Sequence, residues 1–291
     1  MPPKLLALLA VGFWSTNAFA AKYAFVDLTV IQVLTVQFAT AFLVLSLLRA
    51  FQHGTVSLFV GWPPIRFIFV GMVGLTGTIF LQYLAFDLGH IMEANVIAYA
   101  WPLFVAVWAA AVLRNAQGWT GLALASVGFA GVAVIFNARS GLDFTVDGTL
   151  GYAIAVASAF CMAFYTVASS RIRVSGDRLL IPATGLGAII AFGLSLHGGV
   201  GWPNPSNWLI AAYIGTGPMA AGFALWTKAM AGEGVKRLAP IGYATPLAST
   251  ALLLVSGESF TMQTLTGALM VLACSIGVLA IKPKAEEQKT A

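Results

Sequence analysis

The sequence predicts an all-α membrane protein: ten transmembrane helices arranged as two inverted five-helix repeats around a central cavity. Three observations carry this. Hydrophobic residue types make up 59 % of the 291 residues and charged types only 9 %, whereas a soluble domain carries roughly 25 % charged residues. The apolar residues are gathered into stretches of membrane-spanning length. The two halves of the chain resemble each other at a nearly constant offset. So few charges cannot cover a water-facing surface, and they also exclude a disordered chain.

A membrane helix needs about 20 mostly apolar residues. Ten such stretches run approximately 4–22, 29–50, 65–87, 91–113, 119–137, 148–170, 179–198, 207–230, 235–256 and 262–281. The first imitates a secretory signal peptide, with Lys4, the run Leu5 to Phe13, and Ala18-Phe19-Ala20 as a cleavage-like site. Gly12, Trp14 and Asn17 are foreign to a signal core, and the segment has a counterpart in the second half, so it is read as a retained span. The joins carry turn chemistry: Trp62-Pro63-Pro64, Asn115 to Gly118, Gly141 to Gly148, and Gly201 to Asn207. No join is long enough to hold a soluble domain. A charged segment, 283–291, is expected to be a disordered cytoplasmic tail.

Orientation follows from Lys and Arg. With the N-terminus in the cytoplasm, Lys22 and Arg139 alone fall on the outer face, and the other 13 of the 15 basic residues fall inside. The bias supports cytoplasmic N- and C-termini and an even number of spans. It also explains the net charge of +5 without nucleic acid. The expected location is a bacterial inner membrane.

Tyr99-Ala100-Trp101-Pro102-Leu103 matches Tyr243-Ala244-Thr245-Pro246-Leu247 at an offset of 144, where Leu81 also meets Leu225 and Ala85 meets Ala229. Gly121 meets Gly267 at 146. The repeats are taken as 1–140 and 145–282. Five helices per unit is an odd number, so the second copy enters the bilayer from the opposite side, as in many secondary transporters.

Trp and Tyr facing lipid prefer the interfaces. Trp14, Tyr83, Tyr99, Trp101, Trp108, Tyr165, Tyr213, Trp226 and Tyr243 lie deeper, on the first, third, fourth, sixth, eighth and ninth spans only. A buried indole N–H or phenol O–H needs a partner. A shared polar cavity supplies one; so does ordinary helix packing. Helical spacing puts Gly71, Leu75, Thr78 and Gln82 on one face of span three, and Gly215, Met219, Gly222 and Trp226 on the related face of span eight. Ser158, Cys161, Met162 and Tyr165 share a face of span six, and Asn95, Tyr99 and Pro102 of span four. Gln37, deep in the second span, falls outside this scheme. Pro102 and Pro246 sit centrally in related spans, as a paired hinge or as static kinks.

Other chemistry has little support. Every Asp and Glu lies in a loop, at a helix end or in the tail, Glu93 beside His90 being the nearest approach to the membrane interior, so proton or cation coupling has no evident carrier. Cys161 and Cys274 lie in apolar runs without metal-ligand spacing. Hydrolase, zinc-protease and phosphate-loop signatures are missing, and Gly215-x-Gly217 lacks a third glycine. No cofactor or metal is expected. An enzyme would need a cluster of nucleophile, base or metal ligands at one membrane depth, and a channel a charged ring or carbonyl filter.

The spans in two halves of five, Gly12-Phe13-Trp14-Ser15-Thr16-Asn17 and Tyr99-Ala100-Trp101-Pro102-Leu103 together resemble the EamA-type drug/metabolite transporters, and within them the bacterial aromatic amino acid exporters. The resemblance covers the whole chain. It implies a cavity walled by spans 1, 3, 4, 6, 8 and 9, and export of Phe, Tyr and Trp, with Thr or Met. Trp14, Tyr99, Trp101 and Tyr243 would line the wall, with Asn17, Gln82 and Asn95 holding a zwitterion. Adding the helical faces above, the candidate binding set is Trp14, Asn17, Thr78, Gln82, Tyr83, Asn95, Tyr99, Trp101, Ser158, Tyr165, Trp226 and Tyr243, with Pro102 and Pro246 as hinges. Thr245 stands where the first repeat has Trp101, so the cavity should be chemically lopsided. The alternatives are a transporter of cationic drugs or nucleotide sugars and, less favoured, a membrane-embedded enzyme. The expected partners are a small molecule and the lipid bilayer, with the chain a monomer or weak oligomer.

Overall fold

The computed structural model describes residues 1–53, 63–88, 91–113, 116–137, 146–172, 176–198, 201–202, 208–233, 238, 241–242, 244–255, 262, 266–267, 269–270 and 273–274. Among the described residues all regular structure is helical. Helices α1 (Pro3–Ser15) and α2 (Asn17–Ala24) form one span with a turn at Thr16, whose hydroxyl donates to the Phe13 carbonyl at 2.7 Å. Helix α3 is Val30–His53. Helices α4 (Ile65–Gly71) and α5 (Thr78–Leu88) are joined by a π-helical segment, Met72–Gly77. Then come α6 (Ile91–Ala98), α7 (Trp101–Leu113), α8 (Ala116–Asn137), α9 (Val146–Arg171) and α10 (Gly176–His197). A second π-helical segment, Gly215–Gly222, joins α11 (Trp208–Ile214) to α12 (Phe223–Glu233), and α13 is Ala244–Val255.

Among the described residues six stretches are long and apolar enough to cross a bilayer: Pro3–Ala24, Val30–Gln52, Ile65–Leu88, Val146–Arg171, Gly176–His197 and Trp208–Ala231. Each coincides with a span read from the sequence. Their outer faces carry Leu43, Leu47, Ile189, Leu196 and Leu209, all well exposed. Stripes of exposed leucine and isoleucine at helical spacing belong in lipid, not in water. The predicted span 235–256 is described mainly over α13, whereas the predicted span 262–281 lies mostly, and the tail 283–291 wholly, outside the described residues.

The most extensive packing runs along α3 and α10. Both ends of this antiparallel pair are tethered. At one end Arg49 Nη1 lies 2.7 Å from Asp177 Oδ2. At the other, Gln32 Nε2 donates to the Gly201 carbonyl at 2.7 Å. The same Gln32 closes a capping box at the start of α3: Thr29 N–H donates to Gln32 Oε1 at 2.7 Å, and Gln32 N–H to Thr29 Oγ1 at 3.4 Å.

Around this pair the contacts come in two similar sets. Helix α5 and the first π segment lie against α9, while α12 and the second π segment lie against α1. Helices α6 and α7 touch α9, and α13 touches α1. The first π segment reaches α10, and the second reaches α3. Glycines make these approaches possible. A Cβ on Gly71 would lie 2.6 Å from the Leu179 carbonyl oxygen on α10; one on Gly215 would lie 2.9 Å from Gln37 Cα on α3.

The fourth span departs from the expectation of a helix kinked at a central proline. The helix ends at Ala98 and restarts at Trp101, bridged by tight turns in which Ala100 N–H donates to the Ile97 carbonyl at 2.9 Å and Leu103 N–H to Ala100 at 2.9 Å. Pro102 therefore sits in the first turn of α7, where a helical N–H has no partner within the helix anyway. Pro246 occupies the first turn of α13 in the same way. Neither proline removes a bond from a helix interior, so the break itself, not a proline kink, bends the fourth span.

Replacing Gly71 or Gly215 with leucine should push the paired backbones apart, costing about 1–3 kcal/mol by overpacking. Each variant is expected to melt several degrees below the parent in detergent. An unchanged melting temperature for both would show that these approaches carry no packing energy.

Candidate substrate cavity

The polar side chains of the interior meet where α1, α3, α5, α7, α9 and the second π segment converge. A cavity of about 30 Å³ opens there. Trp14, Asn17, Thr78, Gln82, Tyr99, Trp101 and Ser158 line it, together with Gln37, Ile79, Ala98, Met162, Ile214, Pro218, Met219 and Phe223. Seven of the predicted site residues are thus brought to one space from elements far apart in sequence. None of the described lining residues is charged.

The aromatic wall is one packed group. The Trp226 ring is fully buried and takes Trp14 against it at a centroid distance of 5.2 Å and Trp101 edge-on at 5.4 Å. Trp14 also meets Phe223 edge-on at 5.4 Å, and Phe223 meets Tyr165 at 5.5 Å. These edge-to-face geometries suit the ring quadrupoles and are worth roughly 0.5–1.5 kcal/mol per pair beyond burial. Trp101 and Trp14 line the cavity, and Trp226 packs against both without lining it.

The polar groups are mostly spoken for. Ser158 Oγ donates to the Thr78 carbonyl at 2.8 Å, tying α9 to α5, and the Thr78 hydroxyl donates to the Gly74 carbonyl. Tyr83 donates to Asn17 Oδ1 at 2.9 Å. Gln82 Nε2 donates to Asn95 Oδ1 at 3.4 Å. Tyr165 Oη and Thr227 Oγ1 are 2.6 Å apart, and Thr227 passes its own proton to the Phe223 carbonyl at 2.7 Å, so Tyr165 is the donor of the pair. Trp226 Nε1 donates to Thr166 Oγ1 at 3.4 Å. Among the described residues the Tyr99 hydroxyl makes a long bond, 3.5 Å, to the Trp14 carbonyl.

Several sequence expectations change here. Tyr83, Asn95, Tyr165 and Trp226 are buried behind the wall instead of lining it, because each finds its hydrogen-bond partner in a neighbouring helix. Tyr243 lies outside the described residues. Two deep aromatics leave the cavity altogether. Tyr213 is partly exposed and bonds Thr16 Oγ1 at 2.7 Å. Trp108 carries the Arg171 guanidinium 4.7 Å over its ring. Conversely, α3 supplies a lining residue that the aromatic distribution had excluded. Gln37 is 0 % exposed, and neither atom of its amide has a partner. Its only signal in sequence was an amide deep within an apolar helix.

The free space is water-sized, whereas small-molecule sites run to about 300–1,000 Å³. The walls have to part before a metabolite can enter. Two irregular stretches border the cavity: the second π segment, through Pro218 and Met219, and the break after Ala98, through Tyr99.

Comparison with known proteins agrees with this architecture. The EamA-like transporter family matches the chain over residues 1–137 and again over 149–280. The aromatic amino acid exporter YddG of Ancylobacter novellus is 33 % identical over 194 residues, covering 64 % of this chain and 66 % of that protein. The uncharacterized transporter YcxC of Bacillus subtilis is 27 % identical over 164 residues, 52 % of each chain. The matched parts therefore span just under two thirds and about half of these relatives. A solved crystal structure superposes with a TM-score of 0.78 at 25 % identity, covering 94 % of this chain and 95 % of that one. Matched over nearly its whole length, and built of apolar membrane-length helices, the chain belongs to the EamA-like transporter family of multi-pass membrane transporters.

Proposed function

We propose that the protein exports aromatic and other neutral amino acids across a bacterial inner membrane. It does so by alternating access between two inverted five-span halves, 1–140 and 145–282, with both termini cytoplasmic. The observation that carries the substrate class is the cavity wall. Trp14, Tyr99, Trp101 and Phe223 offer aromatic faces, and the remaining groups are hydroxyls and amides without charge. Rings stack on rings, and a neutral zwitterion needs hydrogen bonds, not a counter-ion. A cationic drug would want a carboxylate in the wall. The phosphates of a nucleotide sugar would want Arg or Lys. The described lining residues include neither. They also hold no nucleophile–base pair of the kind an enzyme needs.

Four features support the inverted pairing. The packing contacts come in matched sets about the α3–α10 pair. Gly71 and Gly215, related by the sequence offset of 144, press against α10 and α3 respectively. The π segments fall at corresponding places, and the family matches the chain twice. A two-fold relation of this kind gives two nearly equal packings of the same parts, which is what alternating access requires. The relative named as an aromatic amino acid exporter is in keeping with the substrate.

Purified protein in liposomes should exchange or release labelled Phe or Trp; vesicles that stay inert in both directions, with and without a pH gradient, would refute the assignment. Trp101→Phe and Tyr99→Leu keep much of the buried volume but shrink the aromatic wall. Each should cut transport of aromatic substrates roughly tenfold while membrane expression holds, the equivalent of about 1.4 kcal/mol; parental rates in both would remove these residues from the site. Alkaline phosphatase fused after residue 291 should stay inactive in cells, and an active fusion would reverse the orientation.

A further inference from the structure

Most of the cavity's polar wall is already committed. Asn17 accepts from Tyr83, Gln82 is bonded to Asn95, and Ser158 and Thr78 donate to backbone carbonyls. Two lining residues differ: Trp14 Nε1 and both amide atoms of Gln37 are buried without a hydrogen-bond partner. The Trp14 nitrogen lies against Gly222, where an added Cβ would sit 2.6 Å away, so it faces the close contact between α1 and the second π segment. The Gln37 amide has no such explanation. Gln37 stands on α3, 0 % exposed, and is one of the residues around the cavity.

A primary amide buried in a membrane protein with neither its N–H groups nor its carbonyl satisfied is costly, because lipid offers no substitute. Apolar side chains of the same length fill such a place at no such cost. The amide is therefore poised for something that arrives. We propose that Gln37 is the head-group reader of the transported amino acid, its NH₂ donating to the α-carboxylate and its carbonyl accepting from the α-ammonium. This rests on the amino acid reading above and deepens it. A zwitterion presents one acceptor group and one donor group on neighbouring atoms, and a primary amide presents the complement of both. Asn17 and Gln82 carry the same group in the wall, but they are already bonded to Tyr83 and Asn95, which leaves the amide of Gln37. The placement also divides the labour. The rings of Tyr99, in the break before α7, and of Trp101, at its start, take the variable side chain, and α3 takes the invariant head group. Helix α3 lies against the second π segment, where Gly215 presses on the Gln37 backbone, so a hold on the head group is felt directly at a joint that moves.

The test uses the full-length protein in proteoliposomes with labelled Phe, and Gln37→Met as the variant. Met keeps length and loses both hydrogen bonds. The expected result is a KM for Phe raised roughly tenfold or more, with the melting temperature in detergent equal to or above the parent. Competition on the parent protein is the second arm. Phe methyl ester, which lacks the carboxylate, and 3-phenylpropionate, which lacks the ammonium, should each compete roughly tenfold or more weakly than Phe. A Gln37→Met protein with parental KM overturns the inference and leaves the amino acid reading standing. So do analogues that compete as well as Phe, and a variant that melts well below the parent, since the amide would then be a structural bond. A parent protein inert toward all amino acids overturns the amino acid reading and this inference with it.

Discussion

Lipid cannot accept or donate a hydrogen bond, and that constraint organises everything else in this protein. Each polar atom within the bilayer has to find its partner inside the chain or in a cavity the chain builds. The backbone answers with helices. The side chains answer by turning inward, where Tyr83 finds Asn17, Tyr165 finds Thr227, Trp226 finds Thr166, and Ser158 finds a carbonyl on α5. Because these partners lie on different helices, satisfying them pulls distant segments of the chain to one place. The cavity is the remainder of that arrangement.

Close packing without a hydrophobic drive between helices is the second requirement, and glycine meets it. Gly71 lets α4 reach the α10 backbone, Gly215 lets the second π segment reach α3, and Gly74 and Gly222 leave room for the side chains of Tyr165 and Trp14. A large ring over a bare backbone gives dispersion contact without a wide gap. The water-sized cavity is bordered by the second π segment and by the break between α6 and α7.

How much of this was legible in residues differs from place to place. Trp14 and Trp101 announced themselves, since a deep tryptophan in an apolar helix has few uses. Gln37 was visible too, but the absence of aromatics on its helix argued it away. Only packing reveals that α3 lies in the wall: helix rotation about its own axis is invisible when nearly every face is apolar. Tyr213 shows the converse. Its depth in sequence suggested the interior, yet its hydroxyl bonds Thr16 at an exposed rim. The prolines misled in their own way. Pro102 and Pro246 suggested kinks within helices, but each lies in the first turn of a helix, and before Pro102 the chain stops its helix at Ala98 and restarts it at Trp101. Thr29 and Gln32, by contrast, form a capping box whose spacing is plain in the sequence.

Composition and spacing by themselves determined that this chain lives in a bilayer, where its six longest apolar helices lie, and which aromatic and amide groups would need an interior partner. Those properties depend on transfer energies of individual residues, which are local. The tertiary structure alone decided which of those groups bond one another and which face open space. That depends on helix rotation and approach set by small residues many positions apart, so Asn95 came to be paired behind the wall while Gln37 was left unpaired within it.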